Sequence, residues 1–190
     1  MHHPNYFRLL KPSGVTRIID LINRQGLKEM CEDFGIDYYL YDAEYGYCGH
    51  DVFHNEDDML FYKKNELAEE GLSKAEYDMA LEKYMAEIES KKTETVKKIK
   101  EFIDTVNQGG FYMSCEEGIH RTTNCLALVT ILNPDWKGEK IEPNPTYAPK
   151  LYGLYRKLTD EHKQILGINE EYDKYLEEYF DILMGKMNSQ

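Results

Sequence analysis

Apolar and polar positions follow two different rhythms along this chain. The run Val15-Thr16-Arg17-Ile18-Ile19-Asp20-Leu21 is β-branched and ends apolar, so it predicts a buried strand. Leu9-Leu10-Lys11-Pro12-Ser13-Gly14, just before it, reads as a turn. From Gln25 to Asp33 the residues Leu27, Met30 and Cys31 fall at helical spacing, and Gly35 stops the helix. Ile36-Asp37-Tyr38-Tyr39-Leu40-Tyr41 then predicts a second strand. Strand, short helix, strand is a βαβ unit, which implies a parallel sheet.

From Asp42 to about Leu72 no clean period is present, and Gly46, Gly49 and the acidic cluster Glu56-Asp57-Asp58 interrupt the segment. It reads as a long loop or lid. Ser73 followed three residues later by Glu76 is a capping box that opens a helix. Leu81, Tyr84, Met85 and Ile88 mark its apolar face. Val96, Ile99, Phe102, Ile103 and Val106 continue a helical period up to Gln108-Gly109-Gly110, so two helices or one long bent helix are expected. Gly110-Phe111-Tyr112-Met113 predicts a third strand, and Cys125, Leu126, Leu128, Val129 and Leu132 predict the helix after it. Asn133 to Gly138 form a turn, and Pro143, Pro145 and Pro149 keep the next segment extended. Two helices finish the chain, about 150–166 and 170–186; their aromatic stripe, with Tyr172, Tyr175, Tyr179 and Phe180, reads as core packing. These elements predict one α/β domain over 1–190, with a central, mostly parallel sheet flanked by helices on both faces. An inserted loop and helical lid occupies about 43–95, and C-terminal helices occupy about 148–187.

Composition narrows the partners. A length of 190 residues with 42% hydrophobic content can bury a core without disulfides, so Cys31, Cys48, Cys115 and Cys125 read as free thiols in a cytoplasmic or otherwise reducing compartment. A secreted effector and a housekeeping enzyme both fit these residues. No apolar run approaches the roughly 20 residues that span a bilayer, and Met1-His2-His3-Pro4 lacks the layout of a secretory signal. The net charge of −12 opposes nucleic acid and anionic lipid, since both are held by neutralising phosphates. The lysines at 91, 92, 97, 98 and 100 alternate with glutamates and read as a solvated helix face.

The chemistry concentrates in Ser114-Cys115-Glu116-Glu117-Gly118-Ile119-His120-Arg121-Thr122. A cysteine on a tight loop between a strand and a helix N-terminus meets backbone N–H groups and the positive end of the helix dipole. That field binds phosphate and favours thiolate over thiol. Arg121, six residues after Cys115, can grip two phosphate oxygens with its planar fork.

The run resembles the Cys-x5-Arg-Ser/Thr signature of the cysteine-dependent protein tyrosine phosphatase superfamily, including the internal glycine at Gly118. A looser similarity to the compact, dual-specificity-like members extends through most of residues 8–133. The resemblance implies a tyrosine-phosphatase-like fold and no cofactor. It implies Cys115 as the nucleophile that forms a phosphocysteine, Arg121 as the phosphoryl-binding residue, and Thr122 as the hydrogen-bond donor to the sulfur. Glu116, Glu117, Gly118, Ile119, His120 and Arg121 then line the substrate site. Ser114 stands where the family usually has histidine, and Glu116 and Glu117 stand where it often has small or apolar residues. Those carboxylates oppose a highly anionic ligand, so phosphorylated protein ranks above polyphosphorylated inositols as substrate. A phosphoinositide or inositol phosphate phosphatase and a catalytically weak phosphate-binding module are the alternatives.

Phosphoryl transfer also needs an acid for the leaving oxygen. The family carries it on a loop after a strand, which makes Asp42 the first candidate, Asp51 the second, and Asp57 or Asp58 the third. His120 either influences the thiolate, contacts substrate or faces solvent. Cys48-Gly49-His50-Asp51-Val52-Phe53-His54 holds four metal-ligand side chains but has no second Cys/His pair beside it, so it reads as loop packing and no metal is expected.

Overall fold

A computed structural model describes residues 4–43, 48–115 and 120–187, with side chains from Phe7 onward. The order is α1 Pro4–Leu10, β1 Arg17–Asp20, α2 Leu27–Phe34, β2 Asp37–Leu40, a 3-10 turn Asp51–Phe53, α3 Glu56–Glu69, α4 Lys74–Asn107, β3 Phe111–Ser114, α5 His120–Leu132, α6 Ala148–Arg156, α7 Asp160–Leu166 and α8 Glu170–Met187. The strands form a small open sheet in the order β2-β1-β3, parallel throughout. Asp20 lies level with Leu40 on one side and Ser114 on the other.

Neighbouring side chains on β1 point to opposite faces of the sheet. Ile18 joins Phe7, Leu10, Leu27, Cys31 and Ile36 in the cluster built with α1 and α2. Ile19 enters the larger core with Val96, Ile99 and Phe102 of α4, Leu128 of α5, Leu151 of α6 and Phe180 of α8. Helices therefore cover both faces, as the β-branched runs predict. The close approach of β3 to β1 needs glycine at 110: its φ is +62°, and a Cβ there would stand 2.7 Å from Thr16 Oγ1. The amides of Thr16 and Arg17 both donate to the Gly110 carbonyl, at 2.7 and 3.1 Å.

The insertion differs from the expected long loop. Residues 56–69 form α3, whose only buried side chain is Leu67. Its other large apolar residues, Met59-Leu60-Phe61-Tyr62, run consecutively around the helix, with Phe61 and Tyr62 exposed, so no helical period can be read. Its acidic first turn, Glu56, Asp57 and Asp58, complements the helix dipole. Glu56 also accepts from the nearly buried Lys92 of α4 at 2.7 Å, which ties the two helices together. Helix α4 is one continuous helix of 34 residues, roughly 50 Å long at the usual rise. No glycine or proline interrupts Lys74–Asn107, so nothing bends it sharply. Its start is the predicted capping box: the amide of Ser73 donates to Glu76 Oε2 at 2.9 Å, and the amide of Glu76 donates to Ser73 Oγ at 3.4 Å.

Two further boundaries move. Helix α1 extends to Leu10, into the segment expected as a turn. The expected helix over 150–166 divides at Lys157–Thr159, because Thr159 caps α7 by accepting from the His162 amide at 3.2 Å. The aromatic stripe packs as expected at Phe180, which stacks on Tyr155 with ring centroids 5.1 Å apart, while Tyr175 stays exposed. No helix among the described residues is long and apolar enough to cross a membrane.

Candidate active site at the carboxyl end of the sheet

The chain enters the sheet at its centre, runs to one side with β2, and returns on the other side with β3. Such a reversal opens a crevice beyond the carboxyl ends of the strands. Cys115 follows β3 directly and lies in that position, only 5% exposed. Thr122, in the first turn of α5, is folded back onto it. The Cys115 amide donates to Thr122 Oγ1 at 3.0 Å, and the Thr122 hydroxyl donates to Cys115 Sγ at 3.4 Å. Because the hydroxyl oxygen accepts from the amide, its hydrogen is directed toward sulfur. A donor aimed at sulfur stabilises thiolate, as nucleophile and as leaving group.

Arg121 is half-buried on the same helical turn, and His120 before it is exposed. Cys115 and Arg121 both act electrostatically on the buried Cys125 one turn further along α5. Glu116, Glu117, Gly118 and Ile119, expected to line the substrate site, lie outside the described residues.

Two of the four candidate acids come together. Asp42 and Asp51 line one open pocket with Tyr39, Tyr41, Lys98 and Glu101. The register locates Asp42 relative to the cysteine. The Tyr41 amide donates to the Asp20 carbonyl at 2.9 Å, and the Leu21 amide donates to the Ser114 carbonyl at 3.4 Å. Tyr41, Leu21 and Cys115 thus stand level across the sheet, and Asp42 is one residue beyond. The backbones on either side of Leu21 are two strand spacings apart, roughly 10 Å. Burial raises the Asp51 carboxyl above the ordinary carboxylate range; a backbone hydrogen bond and Lys150 oppose the rise, and the charge of Asp42 adds to it. Asp57 and Asp58 are exposed on the first turn of α3, outside the lining of that pocket.

The segment carrying Asp51 is held by a buried polar chain. The Tyr41 hydroxyl donates to the Cys48 carbonyl at 2.9 Å. His50 Nε2 pairs with the Tyr147 hydroxyl at 2.8 Å, and His50 Nδ1 pairs with His54 Nε2 at 3.0 Å. Burial and the neighbouring His54 hold His50 well below the ordinary histidine range. Burial, then Lys157 and Lys150, bring His54 down to about 4. Both rings are therefore neutral near pH 7 and can share a hydrogen bond. Cys48, His50 and Phe53 point into the core, so this run is packing rather than an open lid. Among the described residues no group of three or more His, Cys, Asp or Glu side chains is arranged to hold a metal ion.

One set of residues escapes sequence reasoning. Asp20, fully buried at the end of β1, accepts from the Arg24 amide at 2.7 Å, from Arg24 Nε at 2.9 Å and from the Tyr38 hydroxyl at 3.0 Å. Burial, then the charge of Asp20, pushes the Tyr38 phenol up, so it remains a donor. Arg24 reaches on to Ser114, donating from Nη1 to Oγ at 2.9 Å and from Nη2 to the carbonyl at 3.1 Å. The available signal was an aspartate closing the apolar run Ile18-Ile19.

The four cysteines are all reduced and buried, but their surroundings differ. Burial pushes the Cys31 thiol up to about 11. Burial, then contact with Cys48, pushes Cys125 well above its ordinary value. Cys115 has a hydroxyl donor on its sulfur and a helix N-terminus beside it. Iodoacetate at neutral pH is therefore expected to label Cys115 first in the folded protein. Peptide mass spectrometry over a time course checks this, and even labelling of all four thiols contradicts it.

Compared with known proteins, the chain matches no family model, no curated protein and no solved structure.

Proposed function

We propose that this chain is a cysteine-dependent phosphoric monoester hydrolase acting on phosphorylated proteins, phosphotyrosine foremost, through a phosphocysteine intermediate. The observation that carries the reading is the Thr122 hydroxyl, which joins the amide and the sulfur of Cys115 at the mouth of the sheet crevice. Arg121 grips two phosphoryl oxygens with its fork. The Cys115 thiolate attacks phosphorus, the P–O bond to the substrate breaks, and Asp42 gives its proton to the departing oxygen. Water then attacks the phosphocysteine. Asp42 takes the proton from that water, the P–S bond breaks, and Thr122 stabilises the thiolate as it leaves. Asp51 stands beside Asp42 in the same pocket and is the alternative acid.

The acidic lining supports the substrate ranking. Among the described residues, Asp42, Asp51 and Glu101 line one pocket with Lys98 as its cation; Cys115 is not part of that lining. Several clustered phosphates would meet repulsion there, whereas a single phosphate on a neutral ring would meet less. The test is a hydrolysis panel of a small aryl phosphate, a phosphotyrosine peptide, a phosphothreonine peptide and an inositol polyphosphate. Turnover of the aryl phosphate and the phosphotyrosine peptide is expected, with little release from the inositol. Hydrolysis confined to the inositol would replace the substrate class. Phosphate binding with no hydrolysis of any ester would replace the enzyme with a binding module.

A further inference from the structure

We propose that Arg24, held by Asp20, is a positioning residue for the cysteine nucleophile; the proposal rests on the phosphatase reading. One peptide unit links Ser114 to Cys115, and both its ends are held. Its carbonyl accepts from Arg24 Nη2 at 3.1 Å, and its N–H donates to Thr122 Oγ1 at 3.0 Å. The same hydroxyl then donates to Cys115 Sγ. The path Asp20–Arg24–peptide–Thr122–sulfur is thus continuous, and each hydrogen bond in such a chain polarises the next. A guanidinium on the carbonyl strengthens the N–H as a donor. A stronger donor occupies the Thr122 oxygen more fully and keeps its hydrogen on the sulfur.

The geometry is well suited to this task. Asp20 is fully buried and uses both carboxylate oxygens: Oδ1 takes Arg24 Nε and the Ile22 amide, and Oδ2 takes the Arg24 amide and Tyr38. The Arg24 side chain is only 16% exposed. Its planar fork engages Ser114 through main chain and side chain together, which a lysine point charge cannot reproduce. Ser114 is the residue before the nucleophile, so its hydroxyl has a defined use as the second acceptor for the fork.

The test compares Arg24→Met, Arg24→Lys and Ser114→Ala with the wild type by two readouts. The first is the rate of Cys115 alkylation by iodoacetate as a function of pH. The second is kcat and KM for a small aryl phosphate. Arg24→Met is expected to move the alkylation profile of Cys115 toward higher pH and to lower kcat about 10–100-fold with little change in KM, the size expected when a reacting group is slightly misplaced. Arg24→Lys should fall between Met and wild type. Ser114→Ala should stay within about threefold, because the carbonyl contact, which carries the polarisation, remains.

A folded Arg24→Met with wild-type alkylation profile and kcat overturns the proposal. A Ser114→Ala loss as large as that of Arg24→Met overturns the role given to the carbonyl. If Arg24→Met fails to fold, Arg24→Lys decides alone: an unshifted profile overturns the proposal and a shifted one supports it. Alkylation requires no phosphatase activity. A wild type that hydrolyses no ester, yet shows the Arg24-dependent shift, would sink the functional reading and leave the positioning intact.

Discussion

Cys115→Ser is expected to abolish hydrolysis of a small aryl phosphate while binding of tungstate, a phosphate analogue, survives. A serine hydroxyl titrates far above neutrality and is a poor nucleophile without an adjacent base. The buried surroundings of Cys115 offer it a hydroxyl donor from Thr122, which stabilises an anion already formed but removes no proton. Loss of a nucleophile costs on the order of 10⁴–10⁶-fold in kcat. Arg121 remains, so the analogue should still bind, as measured by calorimetry. Arg121→Lys should fall about 10²–10³-fold, the usual loss when one donor to a charge-developing oxygen is removed. Serine turnover close to wild type would end the covalent mechanism, and near-normal kinetics in the lysine variant would end the arginine assignment.

How much of this was legible follows from where each residue finds its partners. The three strands could be read because β1 is buried on both faces, so Ile18 and Ile19 are both apolar. The Cys115–Thr122 pair could be read because its members lie only seven positions apart in the sequence. Helix α3 could not be read, since Leu67 alone is buried and the apolar residues Met59-Leu60-Phe61-Tyr62 are consecutive rather than helically spaced. The unbroken α4 was half legible: its two apolar stretches share one helix because no breaker separates them, though only residues from Ile88 onward are buried. Arg24 could not be assigned at all. Its partner Ser114 lies 90 residues away and meets it only through the pairing of β1 with β3. The joining of Asp42 with Asp51 depends likewise on distant contacts. His50 is tied to Tyr147 across 97 residues, and that tie folds the segment back beside the end of β2. The expected end of the second strand at Tyr41 could put Asp42 first, but only the packed segment after it separates Asp42 and Asp51 from Asp57 and Asp58.

Asp42→Asn is expected to lower kcat by about 10²–10⁴-fold on phosphotyrosine, the usual contribution of a placed general acid. The deficit should shrink with a leaving group that departs unaided, such as an activated aryl phosphate. The pH profile gives an independent sign. Activity rises with pH as the thiolate forms and falls as the acid loses its proton, so removing the acid should abolish the alkaline fall and leave the rise. Asp51→Asn is the paired measurement, because Asp51 lines the same pocket and burial holds its carboxyl above the ordinary range. A raised carboxyl keeps its proton to higher pH, which suits an acid, but Asp51 also lies at the start of a packed 3-10 turn. A leaving-group-dependent defect in Asp51→Asn and none in Asp42→Asn would transfer the proton to Asp51 and keep the chemistry. A defect in both, with only one losing the alkaline fall, would identify that one as the acid and the other as the charge that tunes it. Flat profiles and small losses in both variants, measured beside an active wild type, would show that the leaving group departs without either carboxylate.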